Sequence, residues 1–138
     1  MRHLLERERL SERVHVEGAG TGGWHVGEPA DPRSVAHARR RGVVLDRRAQ
    51  QVTAQHFARF DLFLAADAQN LEGVRRLAPS DAARAKVRLL RSFEPGAAPG
   101  AEVPDPYARG PEGFEEVLDL CEAACAGLLA HLREAHGL

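Results

Sequence analysis

Apolar and polar positions follow two different periods along this chain. Towards the carboxyl end, Phe114, Val117, Leu118, Cys121, Ala124, Cys125, Leu128 and Leu132 recur at i, i+3, i+4 spacing, which predicts one long amphipathic helix. Phe60 to Ala66, Phe-Asp-Leu-Phe-Leu-Ala-Ala, is instead almost continuously apolar, as in a strand buried on both faces of a parallel sheet. Lys86-Val87-Arg88-Leu89-Leu90 is a second strand candidate and Val14-His15-Val16 a short third. Val43-Val44-Leu45 is too short to separate a strand from a connection.

Boundary residues divide the rest. Arg2 to Arg9 reads as helix, with Leu4 and Leu5 on one face and no capping residue before it. Asp31-Pro32 supplies an N-cap and a first-turn proline for a second helix, which Gly42 closes after Arg39-Arg40-Arg41. Thr53 is placed to cap a brief helix containing Phe57. Asp67 caps a helix carrying Leu71, Val74 and Leu77, ended by Pro79, and a short helical stretch follows Ser80. Strands alternating with helices imply an α/β fold with a parallel sheet. From Glu94 to Gly113 the chain carries five prolines and little apolar periodicity. So long a loop in a small domain is where the active surface is expected.

Length and charge narrow the reading. The 138 residues fit one domain, 1–138. With 19 basic and 20 acidic residues the net charge is −1, leaving no positive field for a nucleic-acid partner. No apolar run approaches the ~20 residues that span a bilayer, and the first residues do not form a signal peptide, so a cytoplasmic location without membrane attachment is expected. Two cysteines argue against a disulfide-stapled scaffold.

Cys121 and Cys125 lie one turn apart on the apolar stripe of the last helix, where packing explains them better than chemistry. The histidines show no metal-ligand spacing, so no metal is expected. Gly18 to Gly23 matches G-x-G-x-x-G, and Asp46 lies where a ribose-binding acid would fall. A dinucleotide loop must open a helix directly, however, and Trp24 to Asp31 with Pro29 intervenes; a backbone turn is the better reading. Trp24 and Tyr107, the only tryptophan and tyrosine, sit in loops outside any amphipathic stripe, packed at a rim or clasping a flat ligand. Asp105 stands between two prolines in Val103-Pro104-Asp105-Pro106-Tyr107.

Read together, Ala19-Gly20-Thr21-Gly22-Gly23-Trp24-His25-Val26-Gly27, Pro29-Ala30-Asp31-Pro32-Arg33, Phe60-Asp61-Leu62 with Leu64-Ala65 and Asp67, and Val103-Pro104-Asp105-Pro106-Tyr107 resemble the low-molecular-weight protein tyrosine phosphatases in order and spacing. The likeness reaches Gly113-Phe114-Glu115-Glu116-Val117 at the last helix. It implies a doubly wound parallel sheet with flanking helices. It also implies two-step hydrolysis of phosphotyrosine or another aryl phosphate, in which a cysteine thiolate takes the phosphoryl group and an aspartic acid protonates the leaving phenol. No cofactor is implied. Asp105 matches the acid; Trp24 and Tyr107 match the aromatic walls that receive the ring.

The same resemblance exposes a departure. The family's nucleophile and phosphate-binding arginine belong to one C-x5-R loop between the first strand and first helix, and this sequence contains no such motif. The chain is therefore expected to be an N-terminally truncated member, lacking the central strand of the sheet, inactive as it stands and dependent on a complementing segment. Gly18 stands where a loop-supporting serine is usual, Gln50 replaces an arginine, and Ala108 replaces a second tyrosine. Two other readings stay open: a non-catalytic binding module of the same shape, and an arsenate reductase, the latter disfavoured by Asp105-Pro106-Tyr107.

Overall fold

The computed structural model describes every residue except Trp24, His25, Tyr107, Ala108 and Arg109. Its helices are α1 (Arg2–Arg7), α2 (Pro32–Arg40), α3 (His56–Arg59), α4 (Ala68–Arg75), α5 (Asp81–Arg84) and α6 (Gly110–His136). Two strands, β1 (Phe63–Ala65) and β2 (Val87–Leu89), pair in parallel with Phe63 opposite Val87 and Ala65 opposite Leu89. The crossover from β1 to β2 runs through α4 and α5, so the molecule is α/β with a parallel sheet and flanking helices.

The capping residues act largely as the sequence implies. Asp31 accepts the Arg33 N–H at 2.7 Å, Asp67 accepts the Asn70 N–H at 2.7 Å, and Ser80 accepts the Ala83 N–H at 3.1 Å. Gly42 takes φ +78 just beyond α2, a conformation that favours glycine. Thr53 does not cap α3 directly: Gln55 holds that position, and the Thr53 N–H donates instead to His56 Nδ1 at 2.9 Å. The carboxyl end of α3 is closed by the only lysine, Lys86, whose ammonium donates to the Phe57 and Phe60 carbonyls at 3.0 and 3.3 Å.

Among the described residues two apolar clusters have no residue in common, and Ala38, Phe114, Ala124 and Leu128 are buried outside both. Phe57, Ala78, Ala83 and Val87 pack with Phe63, Leu71, Val74 and Leu77, joining both strands to α3, α4 and α5. Leu5, Leu10 and Leu129 pack with Leu4, Val14 and Val16, joining α1 to α6. Val14 and Val16 thus turn inward while His15 is exposed, the alternation read as a strand. Residues 14–16 nevertheless pair with no strand among the described residues.

Besides its packing on α1, helix α6 is held near its start and again at Gly127. Near its start, Glu115 accepts from Arg41 at 2.9 Å and lies 2.5 Å from His37 Nδ1, while Arg41 also reaches Asp119 at 2.9 Å and Glu122 at 3.3 Å. The His37 ring stacks on Phe114 with centroids 5.3 Å apart. Farther along, Gly127 lets α6 approach the 3₁₀ turn Leu90–Phe93 so closely that an added Cβ would overlap the Phe93 carbonyl and lie 3.1 Å from Pro95 Cδ.

Two outcomes follow. Gly127→Ala gains ~1 kcal/mol of helix propensity, but overpacking costs about 1–3 kcal/mol or more, so a net loss of roughly 1–2 kcal/mol is expected in urea unfolding. The Arg41 hydrogen bond first, and then His37, holds the Glu115 carboxyl below its usual range. A depressed carboxylate stabilises the fold above its unfolded value near ~4.3, and this contribution is lost as pH falls through the folded value. Glu115→Gln should therefore flatten the fall in thermal midpoint between about pH 5 and 3, measured by circular dichroism.

Candidate active site

In α/β sheets the crevice beyond the carboxyl ends of parallel strands is the usual place for a ligand, because strand ends and helix starts converge there. Here β1 is bonded to β2 along one edge, and among the described residues no strand covers the other. That open edge faces a groove of about 270 Å³. Phe63, Leu64 and Ala65 of β1 line it, together with Glu17, Ala19, Gly20 and Thr21 and with Gln50, Val52 and His56.

The glycine-rich wall is held by the segment 48–52. The Gly20 N–H donates to the Gln50 carbonyl at 2.8 Å and the Val52 N–H to the Gly20 carbonyl at 2.9 Å, forming a parallel bridge. Gln50 Nε2 donates to the Gly18 carbonyl at 2.9 Å, and Arg48 donates to the Gly27 carbonyl at 2.9 Å. Gln51 reaches the Thr21 carbonyl at 3.3 Å, and its Oε1 would stand 2.9 Å from a Cβ on Gly23. Only the end of the flexible Gln51 side chain would have to give way to that Cβ, and the turn reading of the glycine run, not a dinucleotide loop, fits this geometry. Thr21 rests on α4 at Gly73, where its Cγ2 would lie 3.1 Å from an added Cβ.

Asp105 is exposed and hangs from the same end of the sheet. The Val103 N–H donates to the Ala66 carbonyl, one residue past β1, at 2.8 Å. Glu102 accepts from the Ala68 N–H at 2.7 Å through its side chain and from Arg91 at 2.8 Å through its carbonyl. An open cavity of about 650 Å³ brings Asp105 together with Asp67, Arg91, Glu102 and Glu116. Ala66 lines the first groove and Asp67 the second cavity, so the two adjoin at the start of α4. Trp24 and Tyr107 lie outside the described residues. His56 lines the groove without having stood out in the sequence; its Nδ1 accepts from Thr53, which leaves Nε2 to carry the proton of the neutral ring. The Thr53-x-x-His56 spacing was the available signal.

The cysteines sit elsewhere. Cys121 and Cys125 line a third cavity, between α1, α2 and α6, that shares no residue with the other two. Both are free and half-buried. Burial pushes the Cys121 thiol up, and the neighbouring Cys125 adds to this, the opposite of what a nucleophile at neutral pH needs. Among the described residues no group of three or more His, Cys, Asp or Glu could hold a metal ion, and no helix is long and apolar enough to cross a membrane.

A family model described as low molecular weight phosphotyrosine protein phosphatase matches residues 1–137. The chain belongs to this phosphatase family. It is 50% identical over 134 residues to a low molecular weight protein-tyrosine-phosphatase of Streptomyces coelicolor, covering 96% of this chain and 82% of that one. It is 41% identical over 125 residues to low molecular weight protein-tyrosine phosphatase A of Mycobacterium tuberculosis, covering 90% and 74%. A crystal structure of a protein tyrosine phosphatase from Entamoeba histolytica superposes with a TM-score of 0.90 at 30% identity, over 97% of this chain and 85% of that one. The chain is therefore protein-tyrosine-phosphatase-like in fold and in family function.

In this phosphatase fold the Gln51 contact is the one most easily cut without disturbing the backbone bridge. Gln51→Ala should cost at most about 1 kcal/mol of stability in urea unfolding. An unfolding midpoint unchanged from wild type would show that this contact adds nothing to the backbone bridge.

Proposed function

We propose that this chain contributes the proton donor and the aromatic walls of a phosphatase for aryl phosphate monoesters, with phosphotyrosine in proteins as the substrate class. Asp105 is the general acid and Trp24 and Tyr107 receive the ring. The attacking thiolate and phosphate-binding arginine come from a strand and C-x5-R loop that is not among these 138 residues. The observation that carries the reading is the strand-wide groove along the open edge of β1, adjoining the cavity that holds Asp105. A strand laid there would pair with β1, and the loop at its carboxyl end would emerge beside Asp105.

Chemistry supports the division of labour. A phenol with pKa near ~10 is a poor leaving group as phenolate, so a carboxylic acid that delivers a proton as the P–O bond breaks lowers the barrier. After departure the same carboxylate draws a proton from water attacking the phosphoenzyme. An exposed acid on a short, tethered, proline-flanked segment suits both steps, because it meets solvent and substrate alike. Neither half-buried cysteine of α6 can serve: their cavity shares no residue with either part of this site. The reading as a non-catalytic module has no observation of its own, and neither has arsenate reduction. A cytoplasmic location accords with phosphoprotein substrates and is part of the same proposal.

The test is direct. The purified 138-residue chain should not hydrolyse phenyl phosphate, and an added peptide or N-terminal fusion carrying a strand and C-x5-R loop should restore turnover. In the restored enzyme, Asp105→Asn should lower kcat about 10²–10⁴-fold, with a smaller loss for esters of more acidic phenols. Unaided turnover by the chain would overturn the missing-loop part, and an unchanged rate in Asp105→Asn the proton-donor part.

A further inference from the structure

We propose that Cys121 and Cys125 form a dithiol site for a neutral trivalent organoarsenical, R–As(OH)₂, whose organic group seats in the apolar groove between α1, α2 and α6. The inference is independent of the phosphatase reading. Residues four apart on a helix face the same way, with Cβ atoms about 5–6 Å apart, so two C–S bonds can converge on one atom. Both thiols are free, and both line one cavity of about 470 Å³. Its apolar walls include Leu4, Val43, Phe114 and Val117, enough to surround an aryl ring.

The donor set and the charges select the ligand class. A structural zinc site wants four ligands, and among the described residues no third His, Cys, Asp or Glu joins this pair. Trivalent arsenic brings its own carbon and needs only two sulfurs. The groove favours a neutral Cys121, since burial and the paired sulfur both oppose its ionisation. Condensation with R–As(OH)₂ suits that state: two S–H and two As–O bonds break, two As–S bonds form, and two waters leave. Arsenic stays trivalent and no charge appears. A soft monovalent cation would instead need two thiolates facing an apolar wall, with the desolvation cost that entails. The nearby Arg41 is no free counterion for them, being paired with Glu115, Asp119 and Glu122.

The full chain is titrated with phenylarsine oxide, which hydrates to the dihydroxy form, in competition with dithiothreitol so that intrinsic arsenic–sulfur affinity cancels. One arsenic per chain by mass spectrometry, joint loss of both free thiols and a raised thermal midpoint are expected. Cys121→Ser and Cys125→Ser should each weaken binding at least about 100-fold; alanine versions replace them where helical circular dichroism is lost. Against the same competitor the phenyl reagent should bind about tenfold more tightly than its methyl analogue, and Val117→Asp should remove that preference while both thiols still react. Two arsenics per chain, single variants that bind like wild type, or equal affinity for phenyl and methyl reagents would overturn the site.

Discussion

Parallel pairing of β1 with β2 along a single edge is the constraint on which the rest of this structure depends. The register that sets Phe63 against Val87 brings the carboxyl ends of both strands to one side of the molecule. From there the chain leaves β1 through Ala66 and Asp67 into α4, and the Val103 N–H returns to the Ala66 carbonyl. A slip of one residue would turn Phe63 away from the cluster it shares with Phe57 and Val87 and buried Ala65 away from its place in the core. It would also carry the Ala66 carbonyl away from Val103, and with it the segment bearing Asp105. The placement of Asp105 thus depends on the packing that fixes the register of β1 against β2.

The open edge of β1 explains why burial is divided. A parallel strand is ordinarily covered on both faces and bonded along both edges. Here the cluster around Phe57 and Val87 and the cluster around Leu5 and Leu129 lie in different parts of the fold, with no shared residue. Polar contacts supplement them: the parallel bridge at Gly20 and Gln51, the Arg59–Glu17 pair at 3.9 Å, and, within the second cluster's elements, the Arg133–Glu8 pair at 3.0 Å beside α1 and α6. Exposed ion pairs of this kind contribute little. Close packing at Gly127 is a firmer link, because it holds α6 against the turn that follows β2.

Elements governed by local chemistry were legible in the sequence. Asp31-Pro32 and Asp67 marked helix starts because a side-chain oxygen needs only the N–H two or three residues on. The spacing from Phe114 to Leu132 marked α6 for a similar reason. Pairing was less legible, since a ladder depends on a partner distant in sequence. Val14-His15-Val16 alternates as a strand does, but its ladder would need a neighbour that the described residues do not supply. The site divides the same way. Asp105 was singled out only by the resemblance, whereas the Gln50 and Gln51 clamp on residues 18–23 spans some thirty positions and left no mark in any local pattern.

The clamp also bears on how the glycine-rich segment and the segment bearing Asp105 are kept in register. Ala19, Gly20 and Thr21 line the groove within a glycine-rich stretch of high conformational entropy, costly to fix in one place. Bonds from Arg48, Gln50 and the backbone of 49–52 meet that cost at Gly18, Gly20, Gly27 and Glu28, on both sides of Trp24. Asp105 is fixed by a different device, two prolines and the Glu102–Val103 tether to the start of α4. Thr21, packed against Gly73 of that same helix, joins the two devices. Helix α4 is therefore the common reference: its first turn holds Glu102 beside the segment that leads to Asp105, and its Gly73 bears Thr21. A change in its tilt would carry Thr21 and the Glu102 tether together.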